Sequence, residues 1–273
     1  MSQEDSALPL ADGIILMGRY GPFSCGAWIL HHNGECALLE TPQRRENESP
    51  AGDIKKFVEE RGWRVKYVLL SHHHIDHMGS IDQYKDLFPE ARFLTHRAIA
   101  ELAENLRLHM SLFRRRPFPT VNPEKWKNGL FTDVFDEEVR ETDIGGEPIS
   151  IVYAPKHSLG DTLIHFRGVV FTGDWWLFEG DPQWCGLAGA LAAHSVTRVM
   201  KYVHDKNIRV HAIFSTHADQ LMQAVNFKDV MKRTLDYHLA LPKRDERLPD
   251  CSSCPSCSLS RVFWRTRAAL AGS

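Results

Sequence analysis

Short apolar runs open the chain and predict β-strands. The first covers residues 13–18, and a longer run covers residues 26–41. Asn33 and Gly34 stand inside the longer run, and this pair favours a tight turn because both turn residues can adopt a positive φ. The pattern therefore predicts a hairpin near the start of the chain.

Beyond the hairpin, apolar runs alternate with segments of helical spacing. The segment 49–63 places Ile54, Phe57 and Val58 on one side of a helix and Gly62 at its end. By the same criteria we predict further strands at 64–70, 91–96, 148–154, 162–167, 168–174 and 210–216, and further helices at 80–88, 97–109, 187–204 and 227–238.

The composition is that of an ordinary soluble globular chain. The 273 residues are 43% hydrophobic and 25% charged, and the net charge of -2 gives no reason to expect nucleic acid or an acidic membrane as a partner. The segment 1–13 lacks the apolar core of a secretory signal, and no stretch approaches the length of a membrane span. We therefore expect a cytoplasmic protein that acts on a small molecule; its oligomeric state stays open, with a homodimer as one alternative.

Four histidines and one aspartate lie between His72 and His77. They follow the predicted strand 64–70 and precede Gly79, so they occupy a loop at the carboxyl end of a strand, where open α/β sheets place their ligands. Neutral imidazole suits Zn, Fe, Mn or Ni, and a carboxylate suits harder ions. The alternative is an inert surface loop, but the pattern His-x-His-x-Asp-His rarely arises by chance.

Three other strand ends offer further metal ligands. His157 follows one predicted strand, Asp174 ends a second, and His217 ends a third. Each of these residues alone is more often a capping or hydrogen-bonding residue. Together with the first cluster they indicate a metal site built from distant parts of the chain.

In this order and spacing, the seven side chains resemble the metallo-β-lactamase superfamily over roughly residues 12–240. The resemblance implies an α/β fold, a four-layer αβ/βα sandwich of two mixed β-sheets with helices on the outer faces, and the predicted strands agree with it. It implies a metallo-β-lactamase-like domain at 1–242, and the Ser- and Cys-rich composition of residues 243–273 predicts a C-terminal appendage. It further implies a first metal on His72, His74 and His157, a second metal on Asp76, His77 and His217, Asp174 as the bridge between them, and His73 as a spacer.

Such a ligand set is suited to the catalysis of hydrolysis. Two divalent ions about 3.5–4 Å apart can share a hydroxide whose pKa is lowered towards neutrality. One ion polarises the oxygen under attack, and the other takes the charge of the leaving group. Asp76 could bind metal and also orient the hydroxide or accept its proton, so it is the predicted catalytic residue. We expect two divalent metal ions, zinc first, with iron or manganese as alternatives.

Departures from the family pattern argue against some of the reactions that family members catalyse. Asp174 stands where the classical zinc β-lactamases carry Cys, which argues against penicillin hydrolysis, and His74 argues against the electron-transfer diiron members, which carry Glu. Lys156 and Ala218 replace the usual small residue before the third His and Gly after the last, so the motifs around the ligands of hydroxyacylglutathione hydrolases and lactonases are not seen. We predict hydrolysis of an ester, thioester or lactone. The alternatives are a mononuclear-iron persulfide-type dioxygenase, a phosphodiesterase on the same scaffold, and a metal-stabilised binding protein without turnover.

Three residues beside the ligands are predicted to contact substrate. The Lys156 ammonium could meet an anionic group of the substrate; the alternative is a side chain that points into solvent. Trp175 and Trp176 follow the bridging residue and could wall an apolar pocket, although aromatics at this density are more often core.

Other polar segments have plainer interpretations. The basic segment 106–129 is either a solvated loop or a lid over an anionic substrate, and the acidic segment 133–143 is expected to neutralise it. The triplet Cys251, Cys254 and Cys257 is either a flexible Cys-bearing tail or an incomplete metal site that lacks a fourth ligand. Three further histidines are predicted to be structural, namely His31, His32 and His194.

Overall fold

The computed structural model describes residues 8–112, 122–126, 129–176, 189–217, 222–223 and 226–240. Their strands form two sheets, in each of which strands that follow one another in the chain are neighbours. The first sheet contains β1 (Leu8–Ala11), β2 (Ile14–Tyr20), β3 (Cys25–His32), β4 (Glu35–Leu39), β5 (Arg64–Leu69), β6 (Arg92–His96) and β7 (Asp133–Phe135). The second contains β8 (Val139–Ile144), β9 (Glu147–Tyr153), β10 (Thr162–Phe166), β11 (Val169–Gly173), β12 (Ala212–Ser215) and β13 (Met222–Gln223).

Both sheets mix antiparallel and parallel strands. β1 to β4 run antiparallel, whereas β4 to β7 run parallel. The β3–β4 hairpin turns at Asn33 and Gly34, whose φ values are 45° and 78°, so the predicted hairpin is confirmed. In the second sheet only the β11–β12 pair is parallel among the described strands. Parallel neighbours bring their carboxyl ends to one edge of each sheet.

Six α-helices connect these strands within the described residues. They are α1 (Pro50–Glu60), α2 (Ile75–Met78), α3 (Ile81–Leu87), α4 (Arg97–Leu112), α5 (Ala190–Asp205) and α6 (Phe227–Ala240), and a 3₁₀ turn covers Pro123–Trp126. All but α2 were predicted from apolar spacing, to within a few residues at their ends. Among the described residues, no helix combines the length and the apolar character needed to cross a bilayer.

Alternating side chains of the strands give the molecule its layers. One face of each sheet packs against the other sheet, where the ring of Trp28 contacts those of Phe171 and Phe214 at centroid distances of 5.3 and 5.6 Å. The opposite face of the first sheet packs against α1, α3 and α4, and that of the second sheet against α5 and α6. The order helix, sheet, sheet, helix confirms the predicted four-layer sandwich.

The elements absent from the sequence prediction are short or lie at sheet edges. β1, β7 and β13 have 4, 3 and 2 residues, and β8, an edge strand, has four consecutive polar residues between Val139 and Ile144. The acidic segment 133–143 therefore forms two edge strands as well as carrying charge. The segment 106–129 was predicted to be a loop or a lid, but its first part, 106–112, continues helix α4. Residues 113–121 and 127–128 of this segment lie outside the described residues, and so does the whole predicted appendage at 243–273.

Candidate metal centre

The seven predicted ligands come from both sheets and meet where their strands end. The first cluster follows β5, His157 lies between β9 and β10, Asp174 directly follows β11, and His217 follows β12. Their nitrogen and oxygen atoms form two groups, in each of which all ligand atoms lie within 4.8 Å of one another. We call these the first group (His72, His74, His157 and Asp174) and the second group (Asp76, His77, Asp174 and His217).

The first group is buried. His157 Nε2 lies 3.0 Å from His74 Nδ1 and 3.6 Å from Asp174 Oδ2, and His72 Nε2 lies 4.0 Å from the same oxygen. His72 is fixed on its other side, because its Nδ1 lies 3.0 Å from the hydroxyl of Ser71. Three imidazole nitrogens and one carboxylate oxygen thus converge on one point.

The second group is tighter and nearer to solvent. Asp174 Oδ1 lies 3.2 Å from His77 Nε2 and 3.3 Å from His217 Nε2, and Asp76 Oδ2 lies 3.1 Å from His217 Nε2 and 3.6 Å from His77 Nε2. The two oxygens of Asp174 therefore face different groups. The side chains of Asp76 and His217 are 18% and 15% exposed, whereas that of His77 is fully buried.

These distances fit an ion at the centre of each group. Ligands at zinc-to-ligand lengths of about 2.1 Å on a tetrahedron are separated by about 3.4 Å, and most of the distances above lie close to that value. One buried atom that faces the first group, His72 Nε2, has no hydrogen-bond partner. Such atoms are rare in a folded protein unless a water or an ion satisfies them.

The protonation states differ between the two groups. Burial, followed by the charges of neighbouring imidazoles, holds the pKa values of His72 and His74 well below the usual range, so both rings are neutral and ready to ligate. At His77 burial also opposes the charge, but nearby groups including Asp174, Asp76 and Glu40 outweigh it and raise the pKa. An ion entering the second group therefore displaces a proton.

The short helix α2 explains how one loop serves both groups. His74 is extended, with φ of -65° and ψ of 150°, and the chain then turns into Ile75–Met78, with the amide of His77 donating to the carbonyl of His74 at 3.0 Å. This turn separates His72 and His74 from Asp76 and His77. The helical turn was missed because four residues are too few to show a 3.6-residue period.

Gly173 allows the two sheets to meet beside the Asp174 carboxylate. A Cβ at this position would lie 2.2 Å from Ser71 Oγ, and the φ of 54° is one that few side chains tolerate. The chain can therefore bring Asp174 against the His72 cluster only with glycine before it.

Glu40 belongs to the site but was not predicted. It directly follows β4, is 1% exposed, and places Oε1 3.3 Å from His77 Nδ1, the ring nitrogen that faces away from the second group. Its carboxylate also accepts hydrogen bonds from the amide of Ser71 and the hydroxyl of Thr216, at 3.3 and 3.4 Å. The signal was available, since Glu40 is an acidic residue at the end of an apolar strand, as Asp174 is.

Asp161 orders the loop that carries His157. Its buried Oδ2 accepts hydrogen bonds from the amides of Lys156, His157 and Ser158 at 2.9, 2.5 and 2.8 Å, and its Oδ1 accepts one from the Ser158 hydroxyl at 2.6 Å. Three amides that converge on one carboxylate fix the backbone of a ligand.

The predicted substrate-contact residues are all buried. Lys156 is 1% exposed and its Nζ donates to the carbonyl of Trp175 at 2.6 Å, so the alternative of a solvent-exposed lysine is wrong. Trp175 and Trp176 are fully buried in the core between the second sheet and its helices, where the alternative interpretation placed them. The described residues give none of the three a surface towards solvent.

The other histidines take structural positions. His31 stacks on Trp63 at 4.1 Å, and His32 Nδ1 lies 2.6 Å from a guanidinium nitrogen of Arg167. His194 contacts Arg198 at 3.2 Å, and the spacer His73 is buried and belongs to neither group. The cysteine triplet at 251–257 lies outside the described residues.

Known proteins resemble this chain in sequence. The family model described as the metallo-beta-lactamase superfamily matches residues 20–177. The hydroxyacylglutathione hydrolase of Cereibacter sphaeroides is 27% identical over 155 residues, which cover 54% of this chain and 46% of that protein. The enzyme of the same name from Klebsiella pneumoniae is 24% identical over 164 residues, covering 57% and 51%. The chain thus spans about half the length of these curated relatives.

Solved structures resemble it in fold at low identity. A metallo-beta-lactamase family protein from Thermus thermophilus matches with a TM-score of 0.58 and 19% identity, covering 85% of this chain and 81% of that one. A metallo-beta-lactamase from Pontibacter korlensis matches with a TM-score of 0.59 and 12% identity, covering 86% and 99%. At these identities the likeness concerns the arrangement of sheets and helices alone.

Proposed function

The chain belongs to the metallo-beta-lactamase superfamily, and from that membership we propose that it is a metal-dependent hydrolase that uses two divalent ions to cleave an ester, thioester or lactone of a small molecule. The observation that carries the proposal is the sharing of Asp174 by two complete groups of ligand atoms. Among the three substrate classes we place thioesters first, because curated relatives carry the name hydroxyacylglutathione hydrolase.

The chain's own residues would divide the work of the site. When bound, two divalent ions supply a water that ionises near neutral pH and a positive charge beside the scissile bond. His72, His74 and His157 would hold one ion, Asp76, His77 and His217 the other, and Asp174 both. Asp76 is the more exposed of the two carboxylates, so it is placed to accept and return a proton at the mouth of the site.

Metal analysis combined with a substrate panel tests the proposal. The purified protein should contain about two ions per chain, zinc or manganese, and should turn over at least one of a generic ester, thioester or lactone faster than a phosphodiester. One iron per chain with oxygen uptake would favour the persulfide-dioxygenase alternative instead.

An Asp174→Ala variant sharpens the test, because it removes a ligand from both groups at once. We expect it to lose both ions and at least a thousandfold in kcat/KM, about 4 kcal/mol of transition-state stabilisation. Asp205→Ala, on the exposed end of α5, is the matched control and should keep both. Two retained ions and full activity in Asp174→Ala would refute the bridging role.

A further inference from the structure

Lys156 and Trp175 join the two segments that carry His157 and Asp174. Lys156 directly precedes His157, and Trp175 directly follows Asp174. Lys156 is 1% exposed and Trp175 is fully buried. The two residues therefore interact inside the protein, one position away from two members of the first group.

Two hydrogen bonds cross between these segments in opposite directions. Lys156 Nζ donates to the carbonyl of Trp175 at 2.6 Å, and Trp175 Nε1 donates to the carbonyl of Ala154, also at 2.6 Å. The ammonium also lies 5.4 Å from the centre of the Trp175 ring, within the range of a cation–π contact. We call this arrangement the clasp.

A buried ammonium is energetically less favourable in this space than an alkyl side chain would be. Taking a charged group out of water costs free energy unless hydrogen bonds compensate for it, whereas an alkyl side chain of similar length carries no such cost. The ammonium adds a hydrogen bond to the carbonyl of Trp175, the residue immediately after Asp174. Asp161 fixes the loop of His157 within itself, and the clasp fixes that loop relative to Asp174.

We propose that the clasp sets the separation of His157 and Asp174, and that Lys156 and Trp175 are positioning residues for the ion of the first group. His157 Nε2 and Asp174 Oδ2 are 3.6 Å apart, close to the about 3.4 Å that tetrahedral ligation requires. The inference rests on the proposed two-ion function. It assigns these two side chains a positioning role instead of the predicted role in substrate binding.

Single-group backgrounds isolate the effect on each ion. His217→Ala leaves only the first group complete, and His72→Ala leaves only the second. Metal-free protein in each background is titrated with cobalt(II), and binding is followed by the visible absorption of the bound ion. Lys156→Met keeps the unbranched side chain as far as Cε but removes the ammonium. In the His217→Ala background we expect it to weaken binding at least tenfold, and in the His72→Ala background less than threefold.

Matched variants separate positioning from a general loss of stability. Lys201→Met makes the same change on an exposed part of α5 and should alter neither dissociation constant. Trp175→Phe removes the Nε1 donor of the clasp together with part of the buried ring, and it should reproduce the first-group effect more weakly. Thermal melts of the metal-free proteins by circular dichroism show whether each variant is folded, and Trp175→Phe provides the measurement if Lys156→Met is not.

The outcomes distinguish this inference from the proposed function. Equal weakening of both groups, or no weakening of either by Lys156→Met and Trp175→Phe, would overturn the clasp while leaving the hydrolase proposal intact. An unsubstituted protein that binds fewer than two ions would overturn the proposed function itself. A raised KM for anionic substrates alone, with unchanged metal binding, would return Lys156 to a role in substrate binding.

Discussion

Glu40 adopts a backbone conformation that residues other than glycine rarely occupy. Its φ is 67°, which costs on the order of 1 kcal/mol for a side chain with a Cβ. Its carboxylate contacts groups that follow two strands in different sheets, namely Ser71 and His77 after β5 and Thr216 after β12. We infer that the strain is retained because this carboxylate orients the imidazole of His77.

Replacing Glu40 by Gln should weaken the second ion specifically. The amide keeps the size of the side chain but loses the charge that holds a proton on His77 Nδ1 and leaves Nε2 free to ligate. A residue that supports a ligand in this way typically contributes tenfold to a hundredfold in metal affinity. Ion content measured during dialysis against a graded chelator should therefore fall from two to one. Glu59→Gln on the exposed side of α1 is the control, and loss of both ions together would contradict the specific role.

At the level of single residues, the sequence predicted chemistry better than placement. The structure brings the seven predicted ligand residues together because each follows a strand end, where ligands gather in open sheets, and a dense His-Asp motif marked one of these ends. Glu40 was overlooked because one acidic residue after an apolar run has no partner nearby in sequence; its partners come from residues 71, 77 and 216. The burial of Lys156 was not predicted because its acceptor, the Trp175 carbonyl, is a backbone group 19 positions away.

At the level of elements, helix α6 contains a buried histidine that should make stability depend on pH. His238 is 4% exposed, and neither ring nitrogen has a hydrogen-bond partner in the described structure. Burial, followed by the nearby charge of Lys156, lowers the pKa of His238 to about 4. In the unfolded chain the pKa of His238 returns to about 6.5. At pH values between about 4 and about 6.5, the imidazole is therefore protonated in the unfolded state and neutral in the folded state.

The free energy of unfolding should therefore fall as the pH is lowered from about 6.5 to about 4, with His238 contributing on the order of 3 kcal/mol. His238→Leu should remove this part of the slope, because leucine binds no proton in either state. Denaturant unfolding of metal-free protein at several pH values measures the difference, and His204→Leu on the exposed surface of α5 is the control. Parallel slopes for the unsubstituted and His238→Leu proteins would show that His238 does not stay neutral in the fold.

The elements that could be predicted are those with a period long enough to detect. α1, α4, α5 and α6 have 11 to 16 residues, enough for several turns of apolar spacing. The three-residue strand β7 shows no alternation, and β8 is mostly polar because it has a neighbour on one side only. Sequence pattern reports burial, so it misses elements that are held mainly by backbone pairing at an edge.

At the level of the whole molecule, the predicted ligands lie within the described part of the chain. So do three hydrophobic cores: the first between the first sheet and its helices, the second between the two sheets, and the third between the second sheet and its helices. The last ligand is His217, and α6 completes the third core with Phe227, Val230 and Met231. Both groups of ligand atoms are therefore complete before α6 ends. We propose that the predicted appendage at 243–273 is dispensable for chemistry.

A chain ending at Leu241 should keep two ions and a kcat within about threefold of the full chain, a difference of under about 1 kcal/mol in the barrier. A chain ending at Asn226 is the contrasting variant. It lacks α6 and exposes the third core, so it should unfold at a lower temperature. Loss of metal by the Leu241 chain would show that the cysteine triplet at 251–257 contributes to the site after all.

The distribution of the ligands also orders events during synthesis of the chain. The first four predicted ligands are synthesised together with the first sheet. Asp174 completes the first group only after β8 to β11 have followed, and His217 completes the second group later still. No nascent chain that stops at His157 has a full set of ligands for either ion. Under the proposed function, the first ion can therefore bind only after β8 to β11 have been made, and the second ion only after His217 has followed.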